Sequence, residues 1–349
     1  MLRTAFVVKT VLAGLLLGLS ISQPAVAASE QTESIEVLKE SAKLGDATAQ
    51  RLLGSMYYDG KGVKQSYDEA AKWFRRAADQ GDAQAQRRFG WMNYDGKGVK
   101  QSYAEAAKWF RKAADQGEAP AQGLLGLMYY DGKGVKQSYV EAAKWYRKAA
   151  EQGEAIAQCW LGGLYYDGKG VKQSYTEAAK WYRRAADQGD AQAQHLLGLM
   201  YYKGKGVKQS YAEAAKWVRK AAEQGEAMAQ GMLGGLYYDG QGVKQSYAEA
   251  AKWVRKAAEQ GYGTAQGLLG LMYYDGQGVK QSYAEAAKWY RRAAEQGIAP
   301  AQLSLGRMYY EGKGVRQNYR MAKEYFGKSC DNGFDPGCEE YAKMNKAGY

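Results

Sequence analysis

Residues 82–117 read DAQAQRRFGWMNYDGKGVKQSYAEAAKWFRKAADQG, and the chain repeats this stretch almost unchanged along most of its length. The glycine that closes it stands at Gly45, Gly81, Gly117, Gly153, Gly189, Gly225, Gly261, Gly297 and Gly333, always 36 residues apart. Eight units therefore fill residues 46–333. A fixed period of this size marks a solenoid, in which each supersecondary unit packs on its neighbours.

Each unit reads as two helices. Asp82 suits an N-cap, and the first helix (A) runs from it to about Tyr94. Gly96 and Gly98 then break the helix and permit positive φ, with Val99 as a plug against the core. Ser102-Tyr103-Ala104-Glu105 fits a capping box, in which serine and glutamate side chains satisfy free N–H groups reciprocally at the start of the second helix (B). The same box recurs at Ser66, Ser138, Ser174, Ser210, Ser246 and Ser282. Apolar residues on helix B come in pairs, Ala106-Ala107, Trp109-Phe110 and Ala113-Ala114, which gives the wide stripe of a helix packed on both flanks. Lys108 and Arg111 are left to face solvent.

The ends differ from the repeats. Arg3 and Lys9 precede an apolar run from Val11 to Ile21, and Ala25-Val26-Ala27 supplies a small-x-small cleavage site. Residues 1–27 are therefore expected to be a signal peptide, since the apolar run is too short for a membrane span. Residues 28–34 are polar and read as a disordered linker. Residues 35–45 read as an N-terminal capping helix and 334–349 as a C-terminal one. Export to the periplasm or beyond follows. The chain has 349 residues, 46% of them hydrophobic, enough for a packed core. Its net charge is +12, which suits acidic partners or an anionic envelope surface such as peptidoglycan. The lysines recur in every loop and form no single patch, so nucleic acid is not expected.

The pattern Ala85, Phe89-Gly90, Tyr94, Gly96-x-Gly98-Val99, Ala106, Trp109, Ala113-Ala114 and Gly117 resembles the Sel-one-like repeat family, a branch of the tetratricopeptide-type α-solenoids. The resemblance covers about residues 46–349. It implies an all-α fold, a right-handed α-solenoid of eight 36-residue helix-turn-helix repeats with partial capping helices. It also implies that helix A lines the concave side and that the protein is an adaptor for other proteins.

Comparing the copies with one another locates the variation. It falls on helix A, in the columns led by Gln84, Arg87, Arg88 and Trp91. Positions 84, 87, 91 and 94 share one helical face. The column led by Arg87 contains Arg51, Cys159 and His195, with glycine at Gly123, Gly231 and Gly267. The column led by Trp91 contains Gly163, Gly235 and Arg307. The column of Tyr94 never varies: Tyr58, Tyr94, Tyr130, Tyr166, Tyr202, Tyr238, Tyr274 and Tyr310. This face is the expected binding groove, with a tyrosine ladder, a glycine floor and arginines near both ends, because Tyr and Arg are favoured at hot spots. Packing between repeats is the competing account of the tyrosines, and close approach of neighbouring A helices that of the glycines.

Signals of catalysis are poor. His195 is the single histidine, and it sits in a variable column. No Ser-x-x-Lys motif is present, and Gly96-Lys97-Gly98 lacks the rest of a phosphate loop. No catalytic residue, metal or cofactor is expected. Cys330 and Cys338 flank the last turn between helices, where a bridge is geometrically accessible. An exported chain favours a disulfide there over a reduced, metal-bound thiol pair. Some cysteine-rich members of the resembled family are linked with β-lactam binding or weak hydrolysis. A peptidoglycan- or β-lactam-binding protein is therefore the alternative to an envelope scaffold.

Overall fold

A computed structural model of the chain describes residues 35–349, so the expected signal peptide and linker (1–34) lie outside the described residues. Eighteen helices and no strand occur among the described residues. The first helix, α1, spans 35–43. Eight A–B pairs follow, from α2 (Ala47–Asp59) with α3 (Tyr67–Asp79) to α16 (Ala299–Glu311) with α17 (Tyr319–Asp331), and α18 (Asp335–Lys346) closes the chain. The fold is an all-α solenoid of 36-residue helix-turn-helix repeats. It forms two compact units, one ending at Ser102 and the other running Tyr103–Tyr349.

The helix ends follow from the repeated caps. Asp46, Asp82 and Asp190 each accept a hydrogen bond from the amide three residues on, at 2.6, 2.7 and 2.6 Å. A helices stop at a left-handed glycine, as at Gly60 (φ 70°), whose N–H donates to Met56 O. The B-helix caps are only half of a capping box. Ser138 Oγ accepts from Glu141 N at 3.3 Å, but Ser138 N–H donates across the turn to Tyr129 O at 2.9 Å. Glu141, with no free amide left to reach, pairs with Lys144 at 3.8 Å instead. Each turn is thus tied to the helix before it.

A and B helices touch through glycine. A Cβ on Gly126 would lie 2.8 Å from the Tyr146 ring, and one on Gly162 would lie 2.8 Å from Tyr182. Neighbouring repeats touch through the second loop glycine. A Cβ on Gly170 (φ +70°) would lie 2.1 Å from Tyr139 O, so the loop rests on the start of the preceding B helix. The core then builds from one repeat into the next. Ala142, Ala143, Tyr146 and Ala149 of one B helix enclose Leu161 and Leu164 of the next A helix and Trp181 of the next B helix. Val171 packs on the same cluster from the loop, as the plug reading expected.

A buried glutamine joins each repeat to the one before. Gln194, 4% exposed, donates to Ala186 O at 3.1 Å and accepts from Gln224 Nε2 at 2.9 Å. Gln158, Gln230 and Gln266 repeat the arrangement in the second unit, and Gln50 with Gln80 does so in the first. At the C-terminal end Asn332 replaces the donor and reaches Gln302 at 3.0 Å. A buried acceptor left without its donor costs about 1–3 kcal/mol.

Two substitutions test this frame. Gly126→Ala is expected to lower the thermal midpoint, because overpacking a helix crossing costs about 1–3 kcal/mol. Gln194→Leu removes two hydrogen bonds, while Ala186 O keeps Gly189 N–H and Gln224 keeps Gly189 O; a loss of about 0.5–1.5 kcal/mol per bond is expected in urea denaturation.

Candidate functional site

The face led by Arg87, Trp91 and Tyr94 divides into three zones. The first is a seam between repeats. Side chains of the Arg87 column meet the residue that opens the next A helix. Arg51 Nε donates to Asp82 Oδ2 at 3.1 Å, and His195 Nδ1 lies 3.3 Å from Glu226 Oε2. Leu303 packs in one cluster with Phe334, and a Cβ on Gly231 would lie 2.8 Å from the Tyr262 ring. The pairing is chemically matched at these four junctions: cation or imidazole with acid, apolar with aromatic, bare glycine with a bulky ring. His195 and Cys159 are both buried here. Burial and Asp190 push the Cys159 thiol well above its usual range, which leaves it a poor nucleophile.

The second zone is the tyrosine row. Tyr58, Tyr130, Tyr166, Tyr202, Tyr238, Tyr274 and Tyr310 each sit edge-on to the tyrosine that opens their own B helix, with ring centroids 5.0–5.2 Å apart. Trp91 packs edge-on to Tyr94 at 5.2 Å. A lysine from the next loop covers several of these pairs, as Lys169 covers Tyr130 and Tyr139. The row is half-buried apart from the exposed Tyr310, and its rings are engaged in the packing of the repeats.

The third zone is open. Nothing lies within 4 Å of a Cβ placed on Gly123 or Gly235, and on Gly163 it would meet only Tyr182 Oη at 3.6 Å. On Gly267 the nearest atoms are at 3.8 Å, an ordinary contact. Close approach of A helices therefore accounts for Gly231 but not for these four. Exposed apolar groups border the floor at Ile156 and Met228. Of the arginines, Arg51, Arg87 and Arg88 come together, and burial and Arg87 lower the Arg88 pKa. Arg307 lies in the second unit, beside Glu340 of α18 at 3.4 Å.

Three recurrent contacts escaped the sequence reading. The glutamine ladder and the loop lysine on its tyrosine pair are two. The third corrects the placing of Arg111 in solvent: it lies over the Trp145 and Tyr129 rings and donates to Tyr129 Oη in the next repeat. Arg147 does the same to Tyr165 at 2.6 Å and Arg219 to Tyr237 at 2.7 Å. Their signal was present in the copies. This column is arginine from Arg75 to Arg291, whereas the next position alternates between Arg and Lys.

The sequence profile described as Sel1 repeat matches eight consecutive segments, 47–82, 83–118, 119–154, 155–190, 191–226, 227–262, 263–298 and 299–334. The chain belongs to the Sel1 repeat family. Proteins of this family are generally protein–protein interaction scaffolds and typically not enzymes. A protective antigen of uropathogenic Escherichia coli strains, displaying the same fold, is 38% identical with a TM-score of 0.81. That match covers 89% of this chain and 67% of the antigen. A Sel1 repeat protein from Oxalobacter formigenes is 32% identical over 97% of this chain and 98% of its own, with a TM-score of 0.65. No curated protein matches the chain.

Among the described residues no helix is long and apolar enough to cross a membrane, and no group of three or more His, Cys, Asp or Glu could hold a metal. Cys330 and Cys338 are disulfide-bonded, with Cα atoms 4.5 Å apart. This arrangement is compatible with a place outside the cytoplasm.

Two outcomes follow from the seam and the floor. Gly123→Ala and Gly235→Ala are each expected to stabilise the fold by about 0.5–1 kcal/mol, read as a raised thermal midpoint. Burial lowers the His195 pKa below 6.5, with Glu226 opposing. The folded state therefore holds fewer protons than the unfolded one, and stability present above pH about 6.5 falls as pH drops through that value. His195→Gln is expected to flatten the stability profile between pH about 7 and 5.

Proposed function

We propose that the protein is an exported scaffold of the bacterial envelope that captures a segment of a partner protein along its A-helix face. The segment would lie over the open glycines of the second unit, beside its tyrosines from Tyr130 to Tyr310 and the exposed Ile156 and Met228, with Arg307 towards one end. One observation carries this reading. Gly123 and Gly235 stand inside A helices with nothing above them, where alanine would be better by about 1 kcal/mol. Gly54, Gly126, Gly162, Gly231, Gly270 and Gly306, by contrast, each press on an aromatic ring. A bare helix surface of this kind suits the close approach of another main chain, as a groove that receives an extended peptide requires.

The exported location rests on the N-terminal charge and apolar run together with the C-terminal disulfide, since such bonds persist in oxidising compartments. Antigenicity of the Escherichia coli relative is consistent with it. Residues 1–27 would then be a cleaved signal peptide and the rest the working protein.

The test fills the floor. Gly123→Leu with Gly235→Leu adds two side chains where there is space for them, so the fold and its thermal midpoint should persist. Crosslinking capture from the envelope fraction should lose the partner that the unaltered protein retains. Equal capture by both would refute the A-helix face as the binding surface.

A further inference from the structure

Four loop lysines define what the tyrosine pairs accept. Lys97, Lys169, Lys205 and Lys313 each place Nζ 4.9–5.9 Å from both ring centroids of the preceding repeat's pair. Each also donates to the Oη of the A-helix tyrosine at 3.3–3.4 Å. Three of them are ion-paired within their own loop, Lys97 with Asp95, Lys169 with Asp167 and Lys313 with Glu311. The geometry is a cation seated over two aromatic rings, beside a carboxylate in three of the four loops.

Two neighbouring loops lack the cation. Gln241 stands where lysine would cover Tyr202 and Tyr211, and Gln277 where it would cover Tyr238 and Tyr247. Glutamine ends one atom short of a lysine ammonium and carries no charge. No basic side chain lies over either pair among the described residues. The rings keep the geometry of the occupied pairs, with centroids 5.2 Å apart in both. The carboxylates are also left over: among the described residues Asp239 and Asp275 have no ion-pair partner, unlike Asp95 and Asp167. At the first pair Gln241 Oε1 is buried and accepts no hydrogen bond, an acceptor without a donor. At the second, Gln277 Oε1 accepts from Tyr238 Oη. Asp275 and Asp239 both act on Tyr238.

We propose that these two adjacent tyrosine pairs bind two basic side chains of a partner protein, each ammonium or guanidinium taking the place that the loop lysine holds in other repeats. Helices that pack side by side are spaced about 8–10 Å. An extended segment advances about 3.3 Å per residue, so basic residues three positions apart span the two sites. The net charge of +12 opposes a cationic ligand at long range, but screening confines that field to about 8 Å at physiological salt. Lys203, next to Tyr202, offsets Asp239 at the first site. The second has acids in both flanking loops. Lys244 and Lys280 have counterparts in loops whose lysine already sits on its tyrosines, such as Lys172 beside Lys169. The inference shares Tyr202 and Tyr238 with the proposed capture face and names the chemistry of the partner there.

Tetralysine is the probe, titrated by calorimetry against the full chain at about 0.15 M salt. Gln241→Lys with Gln277→Lys refills both sites from within, and the fold should persist because other loops carry lysine there. Val37→Lys with Val140→Lys adds the same charge at exposed positions, 65% and 63% accessible. The unaltered protein is expected to bind tetralysine at least tenfold more tightly than the refilled variant, about 1.4 kcal/mol. The charge-matched control should bind as the unaltered protein does. Equal binding by the refilled variant, equal weakening in the control, or no binding at all overturns the proposal. Loss of tetralysine binding with envelope capture intact would sink this inference and leave the A-helix face standing.

Discussion

The A helices approach their B helices so closely that only a hydrogen fits at the crossing. At Gly126, Gly162 and Gly270 a methyl group would lie within 2.8 Å of a tyrosine ring. The rest of the repeat depends on that approach. It lets one B-helix aromatic fill the space between two helices, brings the loop close enough to rest on the preceding backbone, and sets the buried glutamine within reach of the carbonyl it must satisfy. A core built from alanine and glycine buries little apolar area per residue, so stability has to come from many close contacts repeated at every junction. Polar ties then matter more than they would in a leucine-rich bundle. The glutamine amide, the arginine on its tyrosine and the serine amide across the turn each tie one element to the next through a hydrogen bond.

The same economy separates the two kinds of variation on helix A. Positions that face the next repeat change in matched pairs, His195 with Glu226 and Leu303 with Phe334, because a buried charge or a lone apolar side chain is penalised without its complement. Positions that face open space, such as Gly123 and Gly235, change with no partner inside the chain. Only the second kind is free to answer to something outside the protein. The distinction separates the exposed part of this face from the seam, to which His195 belongs.

The tyrosine row belongs to both worlds. Each ring is held by its partner ring, and where a loop lysine is present the pair is already satisfied. Repeats that replace this lysine with glutamine keep the receptor and lose the occupant. A solenoid can acquire a binding position in this way without altering any helix, since a loop residue one repeat away supplies or withholds the charge.

The sequence by itself determined the period, the two helices per repeat, the left-handed glycines and the disulfide pair, because each rests on spacing or on local backbone preference. The plug valine and the serine caps were legible for the same reason. It did not reveal that Gln194 spans two repeats or that Arg111 reaches Tyr129, although the invariance of both columns was on view. Nor could it separate Gly231, pressed against Tyr262, from Gly123, which faces nothing. Those distinctions were decided only by the tertiary structure, because they depend on what stands across the junction, and a contact between residues 18 or 30 positions apart has no signature in the local spacing of either.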